Sequence, residues 1–198
     1  MKKRFTVAVL ILLLIAPFPA VAATPMETMR SYIDRVLQVL RDPALKGEPG
    51  KKMKTEKIVT IADDLFDFEE LSKRTLGQNW KQFSRDQQNE FVSLYKSLLK
   101  KTYSDKIISY NDEGILFGKE TALSEKTSEI ETTLKTQTAD IPINYRLILK
   151  DGRWTAYDVI VEGISLINNY RSQFREILAN KPPEGLIEVL RKKVSDNA

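Results

Sequence analysis

The sequence predicts an α+β domain, an antiparallel sheet with helices packed on one face. Three observations carry this. Residues up to about 103 show apolar spacing of three and four, the texture turns to short alternating runs after Ser104, and helical spacing returns after Gly163. Turn signals divide the middle region, with NDEG at 111 to 114 and DG at 151 to 152.

The chain opens on a basic stretch, Met1 to Arg4, followed by an apolar block from Phe5 to Ile15 and the small-residue sequence AVAA. These are the three regions of a secretory signal peptide, with cleavage expected near Ala22 or Ala23 and one domain over 24–198. The block is shorter than the roughly 20 apolar residues needed to span a bilayer. Removing Lys2, Lys3 and Arg4 lowers the formal charge from +4 to +1. A nearly neutral exported chain has no field suited to nucleic acid. It contains neither Cys nor His. Disulfides, thiol catalysis, His-based triads, zinc hydrolysis and haem ligation are thereby excluded, and binding becomes the leading class of function.

Taken in order, Pro25 to Leu40 repeats Met26, Met29, Ile33, Val36, Leu37 and Leu40 on one helix face, and Asp42-Pro43 ends it. GEPGKK reads as a polar link into a second helix bearing Ile58, Ile61, Ala62 and Leu65. Asp67 with Glu70 is a capping-box pair opening a short helix that Gly77 stops, with Trp80 and Phe83 in the connection. Ser84 with Gln87 opens the longest helix, from Arg85 to Tyr103. Strands are expected at 107 to 110, 115 to 119, 125 to 137, 141 to 150 and 153 to 162. A helix follows from Ile164 to Leu178, Pro182-Pro183 breaks it, and a last helix ends near Val194.

A two-residue DG turn would pair Lys150 with Arg153, Leu149 with Trp154, Leu147 with Ala156, Tyr145 with Asp158 and Ile143 with Ile160. That register sets Asp158 on an apolar face beside Tyr145. A carboxylate there needs partners, for which Tyr145, Arg74 and Arg171 are candidates. Three readings stand: a fold-fixing ion pair, a general base with Tyr145 as acid, or a contact to a ligand headgroup. Arg171, Ser172, Asn168 and Asn169 form the polar side of their helix. They read as a solvated face, as a salt bridge from Arg171 to Asp158 or Glu162, or as donors at a pocket mouth. The aromatic residues fit either a filled core or a hollow one. KKMKTEK at 51 to 57 reads as a solvated helix start, with an anionic surface or a partner as the alternative.

Three stretches, FDFEELSKRTLGQNW (66 to 80), EFVSLYKSLLKKTY (90 to 103) and WTAYDVIVEGISLINNYRSQF (154 to 174), resemble the MlaC, or toluene-tolerance, family of periplasmic phospholipid-binding proteins. The resemblance covers nearly all of the chain after the leader. Its motif positions here are Phe66, Asp67, Phe68, Arg74, Leu76, Gly77, Trp80, Phe91, Leu98, Tyr103, Trp154, Asp158, Gly163, Ser165, Tyr170, Arg171 and Phe174. It implies a twisted sheet with helices wrapped on it, similar to nuclear-transport-factor-2 and cystatin-like shapes, with acyl chains held between them. It also implies a periplasmic, non-enzymatic monomer with no cofactor other than its phospholipid cargo. Such a carrier shuttles lipid between an outer-membrane lipoprotein-porin complex and an inner-membrane ABC transporter with its lipid-binding subunit, maintaining outer-membrane asymmetry. The acyl pocket is expected at Leu71, Leu76, Phe91, Leu94, Leu98, Tyr103, Tyr145, Leu147, Trp154, Ile160, Ile164, Ile167 and Phe174, with Asn168 and Arg171 at the mouth. The rival is a small-molecule isomerase or hydrolase of the same shape using Asp158 and Tyr145.

Overall fold

The computed structural model of the protein describes residues 23–109 and 114–196. The leader up to Ala22, Tyr110 and most of the NDEG turn lie outside the described residues.

Helix α1 spans Pro25–Arg41. Pro25 stands in its first turn, and Thr24 and Glu27 form a reciprocal capping box, the Glu27 N–H donating to Thr24 Oγ1 at 3.2 Å and the Thr24 N–H to Glu27 Oε2 at 2.8 Å. Asp42 stops α1 and caps the 3-10 turn Pro43–Leu45, accepting from the Ala44 N–H at 2.9 Å. Helix α2, Gly47–Leu65, begins inside the GEPGKK stretch expected as a link. Pro49 is tolerated because a first-turn N–H needs no helical acceptor. Gly50 is buried against the preceding turn, where an added Cβ would lie 2.3 Å from the Leu45 carbonyl. Gly50→Ala is therefore expected to lower stability by about 1–3 kcal/mol through overpacking, seen as a lower urea midpoint at unchanged slope.

Helix α3, Phe68–Leu76, starts at Asp67, whose carboxylate accepts the Glu70 N–H at 2.9 Å. The reciprocal half of the expected box does not form, because Glu70 accepts from Arg74 Nε one turn on at 2.6 Å. A 3-10 segment, Gly77–Gln82, leads to α4, Arg85–Ile108, whose Ser84–Gln87 box is complete. The strand expected over 107 to 110 is instead the end of α4 at Ile107 and Ile108, with Tyr110 undescribed. Leu99, Tyr103 and Ile107 continue one strip at spacing four, and the Ser104 hydroxyl stays in the helix by donating to the Lys100 carbonyl at 2.6 Å.

The sheet runs β1 (Gly114–Ser124), β2 (Thr127–Lys135), β3 (Asp140–Lys150), β4 (Arg153–Val161) and β5 (Ile164–Ser165), in that spatial order and antiparallel throughout. This is the expected α+β architecture, with helices meeting both faces of the sheet rather than one. Ile164 belongs to β5, so the following helix, α5, is Leu166–Asn180, and α6 is Pro183–Ser195. Glu162 (φ 49°) and Gly163 (φ 80°) make the tight turn between β4 and β5, and at the second position glycine takes the positive φ without strain.

The β3–β4 register follows expectation from Lys150↔Arg153 to Leu147↔Ala156 and then departs from it. A bulge at Tyr157 shifts the ladder, so Arg146 faces Asp158, Tyr145 faces Val159 and Ile143 faces Val161. The apolar phase of β4 records the slip: Trp154 and Ala156 share a face with Val159 and Val161, two even positions followed by two odd ones. Two cores result. Leu147, Tyr145, Trp154 and Ala156 meet Met29, Ile33 and Leu65 on one side, whereas Ile148 and Tyr157 meet the bundle of α3, α4, α5 and α6 on the other. At the β4 edge, Phe66 forms a parallel bridge to Ala156 that ties the α2–α3 junction to the sheet.

Candidate functional site

Asp158 is 1% exposed and fully engaged. Its carboxylate accepts the Ser165 hydroxyl at 2.7 Å, the Ile167 N–H at 3.1 Å and its neighbour Val159 N–H at 3.0 Å, and Arg146 Nη1 stands 3.6 Å away. The Ile167 N–H belongs to the first turn of α5, where a negative charge suits the helix dipole. Asp158 thus fastens α5 to β4. The expected partners Tyr145, Arg74 and Arg171 are replaced by Arg146, Ser165 and backbone. Tyr145 lies on the opposite face of the sheet because of the bulge, so no Asp158–Tyr145 acid–base pair is assembled.

Arg171 bridges instead to α3, donating from Nη2 to the Arg74 carbonyl at 2.6 Å and from Nη1 to Asn168 Oδ1 at 3.3 Å. This replaces the salt bridge to Asp158 or Glu162. The Arg74 guanidinium lies 4.0 Å over the Tyr157 ring, closing the same corner. Arg146 in turn binds Glu129 at 2.8 Å, which Asn144 also reaches at 2.9 Å, so the α5 side of the sheet is a connected polar network.

The residues expected to wall one pocket are divided between the two cores. Leu71, Leu76, Phe91, Leu98, Ile167 and Phe174 are buried together in the helical bundle, with Leu94 and Tyr103 partly buried against them. Phe91 meets Phe83, Tyr95 and Phe174 at ring-centroid distances of 5.6–5.8 Å, the packing of a filled interior. Burial pushes the Tyr103 phenol up to about 12, with Tyr170 beside it adding to the shift. Ile160 is buried beside Ser165, whereas Ile164 is 66% exposed at the β4–β5 turn, away from either core. Tyr145, Leu147 and Trp154 belong to the α1 side.

That side has a different texture. Ile130 and Leu147 are fully buried, but Ile115, Phe117, Ile141, Ile143, Tyr145 and Trp154 keep partial accessibility. Burial pushes the Tyr145 phenol up to about 12. These part-exposed side chains make the α1 side less closed than the helical bundle. Sequence reasoning named Tyr145 and Trp154 for the pocket but not Ile115, Phe117, Ile141 and Ile143, which the strand alternation sets on the same side. The alternation of β1 and β3 was the signal that could have found them. Two surface grooves, of about 610 Å³ between α2 and α4 and about 470 Å³ beside Phe66 and Phe68, carry charged rims and are separate from this apolar surface. Among the described residues there is no cluster of three or more metal-ligating side chains and no helix long and apolar enough to cross a membrane.

The MlaC protein family model matches residues 30–192, which include the whole sheet and nearly all of both cores. The chain belongs to the MlaC family. It is 22% identical over 173 residues to the toluene tolerance protein ttg2D of Pseudomonas putida, covering 85% of this chain and 80% of that protein. Its fold is similar to that of the phospholipid-binding protein from Ralstonia solanacearum, solved in complex with a phospholipid. The TM-score is 0.78 at 21% identity, over 88% of this chain and 99% of that one. Several MlaC-motif residues here have identifiable structural work. Asp158 and Ser165 hold α5, Arg74 and Arg171 join α3 to α5, and Asp67 caps α3 while accepting from Lys150 Nζ at 2.9 Å. Burial pushes the Asp67 carboxyl up, but the Glu70 N–H and Lys150 outweigh it and hold the group below its ordinary range.

Proposed function

We propose that this protein is a soluble periplasmic phospholipid carrier. It moves lipid between an outer-membrane lipoprotein-porin complex and an inner-membrane Mla-type ABC transporter with its lipid-binding subunit, and so maintains outer-membrane lipid asymmetry. Membership of the MlaC family supports this reading, together with a shared fold whose Ralstonia solanacearum example holds a phospholipid. The observation that carries it within this chain is the row of part-exposed apolar side chains on the α1 side of the sheet, Ile143, Tyr145 and Trp154 with Ile115 and Phe117.

One acyl chain of about sixteen carbons costs roughly 12 kcal/mol to expose to water, at ~0.8 kcal/mol per methylene. Apolar contact must supply nearly all of that, so the cargo needs a wall and no reactive group. The chain's lack of Cys and His suits a carrier that performs no chemistry. In this reading the tails lie against the α1 side of the sheet. Leu71, Leu76, Phe91, Leu94, Leu98, Ile167 and Phe174 supply the packed support behind it, and the headgroup stays at the surface. Release is then catalysed by the membrane complexes, because spontaneous loss into water would be slow.

Native mass spectrometry of protein expressed with its leader and purified gently after export is the direct test. The expected spectrum contains the protein plus one or more phospholipid masses. Ile143→Trp, which fills the proposed space, is expected to remove most of that lipid while leaving the circular dichroism spectrum unchanged. A lipid-free native protein that takes no labelled phospholipid from vesicles would overturn the carrier reading.

A further inference from the structure

The lysines of α2 and α4 are the charge feature that neither the core nor the Asp158 node uses. Residues 46–57 and 96–106 together hold nine lysines against three acids, a net of six positive charges in a chain whose charge after loss of the leader is +1. Packing joins the two stretches. Asp63 near the end of α2 receives Lys96 at 3.0 Å and Lys100 at 2.9 Å, while Lys51 near its start stands 3.9 Å from Asp105 at the end of α4. Lys46, Lys51, Lys52, Lys57, Lys101 and Lys106 are all exposed. Between the helices runs the 610 Å³ groove, lined by Thr55, Val59, Lys100, Lys101, Thr102, Ser104 and Asp105. Lys52 precedes Val59 by seven residues, two helical turns, and so lies on the groove's own strip.

We infer that this face docks the protein on an anionic lipid bilayer surface. The composition favours a bilayer over a protein partner. Protein interfaces concentrate Tyr, Trp and Arg at a desolvated centre, whereas the two stretches contain no Trp and no Arg, and their one Tyr, Tyr103, packs against the helical bundle. Among the described residues of the two stretches, the one exposed large apolar side chain is Met53, 48% exposed. Long, strongly hydrated ammonium groups around a single apolar side chain suit a diffuse negative surface, which attracts each lysine independently of geometry. The groove, with Lys100 and Lys101 in its lining, brings the α2–α4 seam to the headgroup layer. The inference rests on the carrier reading only for why the protein meets a bilayer at all.

The test is sedimentation of the exported protein with vesicles of phosphatidylcholine alone or mixed with phosphatidylglycerol. Binding is expected only to the phosphatidylglycerol vesicles. It should fall steeply as salt rises toward ~1 M, where screening shortens from ~8 Å to ~3 Å. Each lysine near such a surface contributes about fivefold, so K51E/K52E/K106E is expected to weaken binding by at least ~100-fold. K81E/K126E/R175E, with the same change in charge on other surfaces, should weaken it far less. Native mass spectrometry of both triple variants separates this proposal from the carrier reading, since the expected outcome is retained phospholipid with lost vesicle binding. Equal binding by the two variants, or no binding of the native protein to phosphatidylglycerol vesicles, would sink the docking inference while leaving the cargo result standing. Binding to an isolated membrane protein complex without vesicle binding would also overturn it, in favour of a protein partner.

Discussion

Asp158→Ala is expected to destabilise the protein by about 3–5 kcal/mol, the range for removing one member of a buried ionic network. The carboxylate is the common acceptor of the Ser165 hydroxyl and the Ile167 N–H, so its loss leaves a buried hydroxyl and a first-turn N–H without their acceptor. It also removes the counter-charge 3.6 Å from Arg146, although Glu129 still holds that guanidinium. Asp158→Asn retains one acceptor oxygen and should cost less, about 1–3 kcal/mol. Urea unfolding of the three proteins gives the ordering directly. A general base would behave differently. It would tolerate the isosteric amide with little change in midpoint while losing a turnover, so a wild-type midpoint for Asp158→Asn would remove the anchoring role assigned here.

The same residue shows how far the sequence could be read. Asp158 was recognisable as a carboxylate among apolar side chains, and a structural anchor was one of three readings open for it. Its partners were not recognisable. Pairing outward from the DG turn assumes a regular ladder, and the bulge at Tyr157 breaks that assumption four rungs on. One extra residue exchanges Tyr145 for Arg146 opposite Asp158 and moves Tyr145 to the other face. Helix ends read better than strand registers, since caps are local. Ser84 with Gln87 formed its box as expected. Asp67 formed only half of one, because Arg74 competed for Glu70. The link at GEPGKK was misread because Gly and Pro inside the first turn of a helix look the same in sequence as Gly and Pro in a loop. The close approach of Gly50 to Leu45, which requires the glycine, is a tertiary fact.

The sequence could not sort the expected pocket residues into filling and lining for a related reason. Phe91, Leu98 and Phe174 have the residue types of a cavity wall and of a solid core alike, and hydrophobic periodicity records only that a side chain leaves water. What separates them is whether the surrounding atoms close in. In the α3–α6 bundle they do, ring on ring, whereas on the α1 side of the sheet Ile141, Ile143 and Tyr145 stay partly accessible.

That division yields the second large prediction. Phe91→Ala deletes a fully buried ring flanked by Phe83, Tyr95 and Phe174, and is expected to cost about 3–5 kcal/mol through lost transfer energy and the cavity left behind. If the bundle is support and the α1 side is the lipid wall, the protein that remains folded should carry as much phospholipid per mole as the parent. Tyr145→Ala should do the reverse. Tyr145 is partly accessible, so its truncation leaves less of a new void and costs less stability, but it removes an aromatic surface from the proposed wall and should change the amount or chain length of the bound lipid. Urea midpoints and native mass spectra of both variants decide between the two roles. A Phe91→Ala protein that is folded but empty, beside a Tyr145→Ala protein that is fully loaded, would move the lipid into the helical bundle. The opposite pattern follows from the packing, which closes ring on ring around Phe91 and leaves Tyr145 part-exposed.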